Sequence, residues 1–544
     1  MKKTHIKASF LLLFATGTYA WAAHITIEPY LQDLTDDNVK IVWWTDTQTV
    51  QNVAYIVKPI KITVSATSER LKGVPFVRHI AQVQNLKLNA EYEYYVESDS
   101  VRSQRYKFRS GVTRNEPFHF VYLGDMQNAD NQVILRDRAL YQKVMELKPH
   151  FIICGGDTVE YGSYSSYEKT WESFFRQICT TTQGGLSAAS TIPHYFAVGN
   201  HEIYDPEHDE YASGGLAGTS MARFQAYCIN PDNGAADPRW RGRYYAFQYG
   251  CATFIVLDLN NTSNDVLDNH DKIPDGYSPD WEPGGEQYHW MIEQLKIAQR
   301  TSAFTFIIAH PSPYSRGEHG TPDKKIDYQR GYELRILDPI FRSNGVDAVF
   351  SSHDHMVEHC LTGPAGFWVA MDVNNPANLN YIVQGNSGHS ARDPHADWKK
   401  WMQIPDAPPE TFYTVWFYDW NEANNPTTVR CSFYDVQILK VSEATWKAHF
   451  QLISIDGLPE QMRNNEVFTS NDYMFAINRS DPILSSEGAL GSQEIFSYQQ
   501  QRDSSSKNTL LSIVATTGIS VIAIIVLAVT GKKFLHHHVN RPKW

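Results

Sequence analysis

The spacing of apolar positions changes along the chain, and the changes divide it. Between residues 24 and 112 the apolar positions fall in short runs rich in β-branched and aromatic side chains. Examples are Ile41-Val42-Trp43-Trp44, Val53-Ala54-Tyr55-Ile56-Val57 and the segment from Glu91 to Val96. Runs of this kind predict strands. Past Gly111, apolar runs of four to six residues alternate with longer amphipathic stretches. The runs Phe118 to Leu123, Phe151 to Cys154, Tyr195 to Val198, Thr253 to Leu257, Phe304 to Ala309 and Ala348 to Ser351 predict strands. The stretches Asn131 to Leu147, Tyr167 to Ile178, Gln287 to Ala298 and Tyr332 to Phe341 predict helices. That alternation predicts α/β layers. Segments 203–243, 261–285 and 373–410 are rich in Gly, Pro, Asn and Asp and read as long loops, which at that length are functional or mobile. Residues 411 to 455 return to strand character. Residues 481 to 508, rich in Ser and Gln, read as a flexible tether.

The two ends follow other patterns. Lys2, Lys3 and Lys7 precede a short apolar run, Phe10 to Phe14, and then Ala20-Trp21-Ala22, which predicts a cleaved signal peptide over residues 1–22. From Leu510 to Thr530 no residue is charged, and about 20 such residues span a bilayer, so residues 509–531 predict a transmembrane helix. Lys532, Lys533, Arg541 and Lys543 follow it, which places the 532–544 tail in the cytoplasm and the body outside. The expected location is therefore exported and anchored by a single span, periplasmic or at a cell surface. In a eukaryotic setting, Asn260-Asn261-Thr262 and Asn478-Arg479-Ser480 would be glycosylation sequons.

With 544 residues, 42% of them hydrophobic, the chain can bury a large core across several domains. Its net charge of −12 and the lack of a long basic run argue against nucleic acid as a bulk partner. The six cysteines have irregular spacing and no Cys-x-x-Cys pair, which argues against a zinc knuckle. Cys154, inside an apolar strand, is expected to be a buried thiol, and the other pairings are not readable.

Five short motifs follow predicted strands in order: Gly124-Asp125-Met126-Gln127, Gly156-Asp157, Gly199-Asn200-His201-Glu202, His310-Pro311-Ser312-Pro313 and Ser352-His353-Asp354-His355. Strand ends in an α/β sheet converge on one edge, so residues far apart in sequence can meet there. Taken singly, each has a plainer explanation: an Asp after Gly is usually a turn residue, and a lone His is usually structural. Their joint occurrence in order favours a site. Carboxylate, amide and imidazole together suit Fe, Zn or Mn rather than calcium. Two such ions neutralise an anionic phosphate ester and activate water for in-line attack.

The motif set resembles that of the calcineurin-like metallophosphoesterases. The region in front, with Pro29-Tyr30-Leu31-Gln32 near its start, is similar to the N-terminal domain of purple acid phosphatases, and Leu86 six residues before Tyr92 resembles the tyrosine corner of fibronectin type III sandwiches. The resemblance covers roughly residues 24 to 440. It implies a fibronectin type III-like β-sandwich over 24–112, a four-layer α/β sandwich over 113–455, and a C-terminal extension and tether over 456–508. It implies that Asp125 and His355 hold a first metal, that Asp157 bridges two, and that Asn200, His310 and His353 complete the second site. His201 would assist the leaving group while a hydroxide held between the metals attacks. His319, nine residues after His310, is a second substrate-facing candidate. Two positions depart from the pattern. Gln127 stands where many members carry a His ligand, and its amide oxygen is neutral and weaker. Glu160 stands where purple acid phosphatases carry a tyrosine, with Tyr161 one residue later, which argues against a tyrosinate–iron bond.

The expected reaction is hydrolysis of a small-molecule phosphomonoester by two divalent or trivalent ions. A phosphodiesterase or nucleotide hydrolase with the same centre is the close alternative, and a non-catalytic surface-binding protein is the alternative of another class. Arg316 is a candidate phosphate contact or a loop residue. Trp281, Tyr288 and Trp290 are candidates for a cleft wall or for helix packing. His389, in a Gly-rich turn, and His208 are assigned no role.

Overall fold

The computed structural model describes residues 23–485 apart from 72–73, 128–130, 163–170, 180–185, 204–216, 261–277, 324–330, 364–371, 389–391, 399–412, 418–428 and 458–467. The expected signal peptide at 1–22, the tether past residue 485 and the expected membrane helix at 509–531 lie outside the described residues, as do His208 and His389. Among the described residues no helix is long and apolar enough to cross a membrane.

Two sheets build the core. One has ten strands in the order Phe468–Ser480, Thr445–Gly457, Val429–Ser442, Phe118–Leu123, Phe151–Cys154, His194–Phe196, Ile25–Gln32, Val39–Thr45, Val77–Val83, Thr67–Arg70. The other has seven: Tyr245–Tyr249, Ala252–Leu257, Phe304–Ala309, Ala348–Ser351, Leu379–Gln384, Val357–Thr362, Tyr413–Phe417. The motif-bearing strands are parallel to their motif-bearing neighbours, with Leu123 level with Cys154, Cys154 level with Phe196, and Ile308 level with Phe350. Parallel strands in register end together, which places three motifs at one edge of the ten-stranded sheet and two at one edge of the seven-stranded sheet.

Strand alternation explains the layers. Phe120, Tyr122, Phe151 and Ile153 of the ten-stranded sheet join Phe254, Phe306, Ile308 and Phe350 of the seven-stranded sheet in one buried cluster. The intervening Val121, Leu123, Ile152 and Cys154 pack instead with Leu140 and Val144 of the helix Asn131–Leu147 and with Phe174 and Phe175 of the helix Trp171–Cys179. On the far side, Ile255, Leu257, Ile307 and Val349 pack with Met291 and Leu295 of the helix Glu286–Thr301 and with Leu334 and Phe341. The order is helix, sheet, sheet, helix, the expected four layers. Each large apolar side chain so buried contributes about 1.5–3 kcal/mol.

The expected boundaries move at both ends. The N-terminal strands form a sandwich, in which Ile41 and Trp43 face Ala54, Tyr92, Tyr94 and Phe108 of a second sheet that includes Asn52–Lys58 and Glu91–Ser98. The Tyr92 hydroxyl accepts the backbone N–H of Lys87 at 2.7 Å, which closes the corner at Leu86. This sandwich is not a separate module. Ile25–Gln32 pairs in parallel with His194–Phe196, the Tyr94 hydroxyl donates to the Ser190 carbonyl at 2.8 Å, and the Tyr195 hydroxyl donates to the Leu34 carbonyl. At the other end, Phe468–Ser480 pairs antiparallel with Thr445–Gly457, so the sheet continues past residue 455 into the expected extension.

All six cysteines are buried free thiols. Asn260 is buried and donates to the Val198 carbonyl at 2.7 Å, which closes the first sequon to modification in the folded chain.

Candidate metal centre

The turns that leave the strand ends are unusual in their backbone. Asp125, Gln127, Asp157 and His353 all have left-handed φ angles, 53°, 39°, 49° and 70°. Each such non-glycine residue costs on the order of 1 kcal/mol or more and persists only where its surroundings hold it, a pattern that concentrates at functional sites. Two glycines make room. A Cβ on Gly199 would lie 2.2 Å from Asp157 Oδ1, and one on Gly156, whose φ is 97°, would lie 2.6 Å from His310 Nδ1.

The expected ligand residues meet. His310 Nδ1 lies 3.0 Å from the Gly155 carbonyl, an acceptor that assigns the proton of a neutral ring to Nδ1. His310 Nε2 then faces Asp157 Oδ2 at 3.1 Å and Asn200 Oδ1 at 3.0 Å. Three potential ligand atoms converge there, with a proton on His310 Nε2 that a cation would displace. His353 joins Asp157 and His310 in a buried group whose ligand atoms lie within 4.8 Å of one another. On the other side, Asp125 Oδ2 accepts the His353 backbone N–H at 2.8 Å and Oδ1 lies 3.5 Å from His355 Nε2. Among the described residues, Asp125 Oδ1, Gln127 Oε1 and His353 Nε2 are buried without a hydrogen-bond partner. Buried polar atoms are normally satisfied. A cluster of orphaned lone pairs with few protons fits cations.

The charge balance agrees. Burial pushes Asp125 well above the carboxylate range, and Asp157 beside it adds to this. Burial also acts on Asp157, but the adjacent His310 and His201 outweigh it and hold that carboxyl at about 2. His310 is depressed by burial and raised further by Asp157, settling at about 9. Burial, with the neighbouring His319 and His310, drives His353 well below the usual histidine range.

His201 sits at the solvent side of this group with a side chain 23% exposed. Its Nδ1 lies 2.8 Å from the Glu160 carbonyl and its Nε2 2.8 Å from Gln127 Nε2. The carbonyl assigns the ring proton to Nδ1, so Nε2 accepts from the Gln127 amide. Gln127 is thus brought into the site, but its N–H2 is committed to His201 and its Oε1 is the part left for a ligand. Glu160, at the family's tyrosine position, contributes its backbone oxygen. The ring of His319 stacks on His353 at a centroid distance of 3.6 Å.

Other candidates resolve differently. Arg316 is buried, with its backbone N–H on Glu358 and its guanidinium 4.6 Å over the Trp398 ring, a structural placement rather than a phosphate contact. Trp281 is buried in the cluster beneath the helix Glu286–Thr301, with Tyr288 and Trp290 packed against that cluster.

Sequence reasoning passed over two residues. Glu202 is buried and accepts three backbone N–H groups, from Gly199 at 2.7 Å, Asp157 at 2.8 Å and Thr158 at 2.9 Å. It ties the second motif to the third, and burial together with Asp157 pushes it up to about 7. Arg392 follows the loop 385–388, which is strapped to the first motif by Ser387 N–H to the Gly124 carbonyl and Gly388 N–H to the Asp125 carbonyl. The Gly-rich turn after the strand Leu379–Gln384 was the available signal for a sixth site loop.

Residues 118–357 match the family model described as calcineurin-like phosphoesterase. Residues 118–357 are thus a calcineurin-like phosphoesterase region, in a chain that resembles the purple acid phosphatases. It is 24% identical to the probable purple acid phosphatase 20 of Arabidopsis thaliana over 276 residues, 50% of this chain and 53% of that one. It is 29% identical to purple acid phosphatase 17 of the same plant over 143 residues, 23% of this chain and 40% of the relative. The chain thus spans about half or less of the length of these relatives. In fold it is similar to the purple acid phosphatase PPD1 from yellow lupin seeds (TM-score 0.58, 15% identity, 83% of this chain and 74% of that one). It is also similar in fold to PhoD (TM-score 0.54, 15% identity, 89% and 98%).

Proposed function

We propose that this metallophosphoesterase hydrolyses phosphate monoesters with two metal ions, from a body held outside the cytoplasm by the expected 509–531 helix. The observation that carries the reading is the meeting of Asp157 Oδ2, Asn200 Oδ1 and His310 Nε2, with His353 beside them, where a cation would take the place of the His310 Nε2 proton. Asp125 and His355 would hold a first ion, Asp157 would bridge, and Asn200, His310 and His353 would hold a second, with Gln127 Oε1 as a weak further donor. When bound, such ions neutralise the phosphate and lower the pKa of water so that it attacks in line.

The protein's own groups then have definite tasks. Gly155 orients His310 through its carbonyl, and Glu160 orients His201 in the same way, so each ring presents Nε2 to the site. His201 Nε2 faces the site; to act as an acid it would first take up a proton in place of its hydrogen bond from the Gln127 amide and then pass that proton to the departing oxygen, a contribution of about 10²–10⁴-fold for a positioned acid. Asp157, held at about 2, stays ionised across the physiological range.

The test is hydrolysis of a chromogenic phosphomonoester and its diester by the purified protein, with metal analysis and Asp157→Asn as control. We expect metal-dependent turnover that disappears in the variant together with bound metal. A wild-type protein with neither metal nor turnover would leave the surface-binding alternative standing.

A further inference from the structure

We infer that Arg392, paired with His319, forms the anion-recognition edge of this centre and selects a terminal, dianionic phosphate over a diester. The inference deepens the phosphoesterase reading above and rests on it for the position of the substrate.

Arg392 is placed by the site itself. Its backbone N–H donates at 2.6 Å to the carbonyl of His355, itself a candidate metal ligand. Its Nη1 donates to His319 Nε2 at 3.2 Å. His319 is fixed in turn by the stack on His353 and by its backbone N–H on Asp354 Oδ1 at 3.1 Å. The chain therefore runs from guanidinium to imidazole to metal-site imidazole without a gap.

The chemistry of the pair points to an anion. A guanidinium offers five N–H donors and no acceptor, and the one observed side-chain bond, to the His319 ring, uses a single donor. Among the described residues, no carboxylate pairs with Arg392. A permanent cation beside a proposed cation site is repulsive unless an anion lies between them. The planar fork of Arg matches two oxygens of a phosphate, which Lys cannot do. A monoester dianion carries three terminal oxygens, so one or two remain for Arg392 after the others meet the metals. A diester has only two terminal oxygens and a single negative charge, and offers little to this edge.

The test uses the full metal-loaded chain and the variants Arg392→Ala and Arg392→Lys. Inorganic phosphate and dimethyl phosphate are titrated calorimetrically, and kcat/KM is measured for a monoester and the matching diester, with metal content as the control. Because Arg392 is exposed, the lower part of the range for charged hydrogen bonds applies, about a 10- to 30-fold effect. We expect Arg392→Ala to weaken phosphate binding and monoester kcat/KM by that factor, with partial recovery in Arg392→Lys. Diester values should move by less than about threefold, since only one weak contact is at stake, and metal content should not change. Equal losses for both esters, unchanged phosphate binding in Arg392→Ala, or no phosphate binding by the wild type would overturn the inference. Phosphate binding that depends on Arg392 without turnover of any ester would support it while removing the hydrolase reading. Turnover that ignores Arg392 would do the reverse.

Discussion

Replacing Glu202 by Gln separates holding the site from doing its chemistry. The carboxylate accepts three buried N–H groups, two on Oε2 and one on Oε1. Glutamine can keep the two-donor side, but it turns an N–H2 toward the third donor, Thr158 N–H. Leaving one buried donor unsatisfied costs about 1–3 kcal/mol, and replacing a charged acceptor by a neutral one weakens the other two bonds. Against this, Gln carries no buried charge, and the upward push on Glu202 by burial and Asp157 shows that the charge is itself costly here. The net loss in stability is therefore about 1–2 kcal/mol, a fraction of the 5–15 kcal/mol of an ordinary domain. The effect on the site is larger. Asp157 holds a left-handed φ of 49°, and Glu202 grips its backbone N–H and that of the next residue. A displacement of about 1 Å in such a group costs on the order of 100-fold in rate. We expect Glu202→Gln to fold, to unfold at a slightly lower urea concentration, and to lose metal and at least tenfold in metal-dependent activity. A variant that keeps metal and rate within twofold of wild type would refute the positioning argument.

Three further outcomes can be checked. Gln127→Ala removes one neutral hydrogen bond to His201, worth about 1 kcal/mol or fivefold in kcat. Both metals should remain on elemental analysis, and loss of one would make Gln127 a true ligand. Asp347 is buried and paired with Arg479 at 2.5 Å, yet burial outweighs the pair and pushes its carboxyl up to about 6 from 3.8. A folded pKa above the unfolded one means that stability is lost as pH rises through that window. The protein should lose about 2 kcal/mol between pH 4 and pH 6 from this group, and Asp347→Asn should flatten that slope in urea titrations at several pH values. Chains ending at residue 485 should stay soluble, whereas chains ending at 457 lose Ile477, the Phe475 ring stacked 4.3 Å from Phe450, and the buried Asp481 partner of Arg114. The apolar part alone is about 3–6 kcal/mol, enough to unfold an ordinary domain, and solubility on expression is the readout.

What could be read from the sequence, and what could not, follows from the range of the forces involved. Strand and helix spans are local: Phe118–Leu123, Phe151–Cys154, Phe304–Ala309, Ala348–Ser351 and Asn131–Leu147 lie where the apolar spacing puts them. The convergence of five motifs followed from one topological rule about strand ends. By contrast, the pairing of Gln32 with His194, which fuses the N-terminal sandwich to the core, joins residues too far apart to leave a local trace. The strand Phe468–Ser480 was hidden because Ser470, Asn471 and Asp472 dilute an alternation carried by Tyr473, Phe475 and Ile477. Glu202, Arg392 and Arg316 were undecidable for a different reason, since a charged side chain takes its role from whatever faces it in space. The turns themselves point the same way. A Gly-Asp pair after a strand reads locally as an ordinary turn, and the local reading fails because Asp125 and Asp157 sit in left-handed conformations with Asp125 Oδ1 unsatisfied. Four strained residues in one place cost several kcal/mol. The packed layers that hold the strand ends, among them the aromatic-rich one between the sheets with Phe120, Phe254, Phe306 and Phe350, are large enough to offset that. At Asp125, Gln127, Asp157 and His353 local propensity and observed backbone disagree together, and these four are among the residues proposed to hold metal.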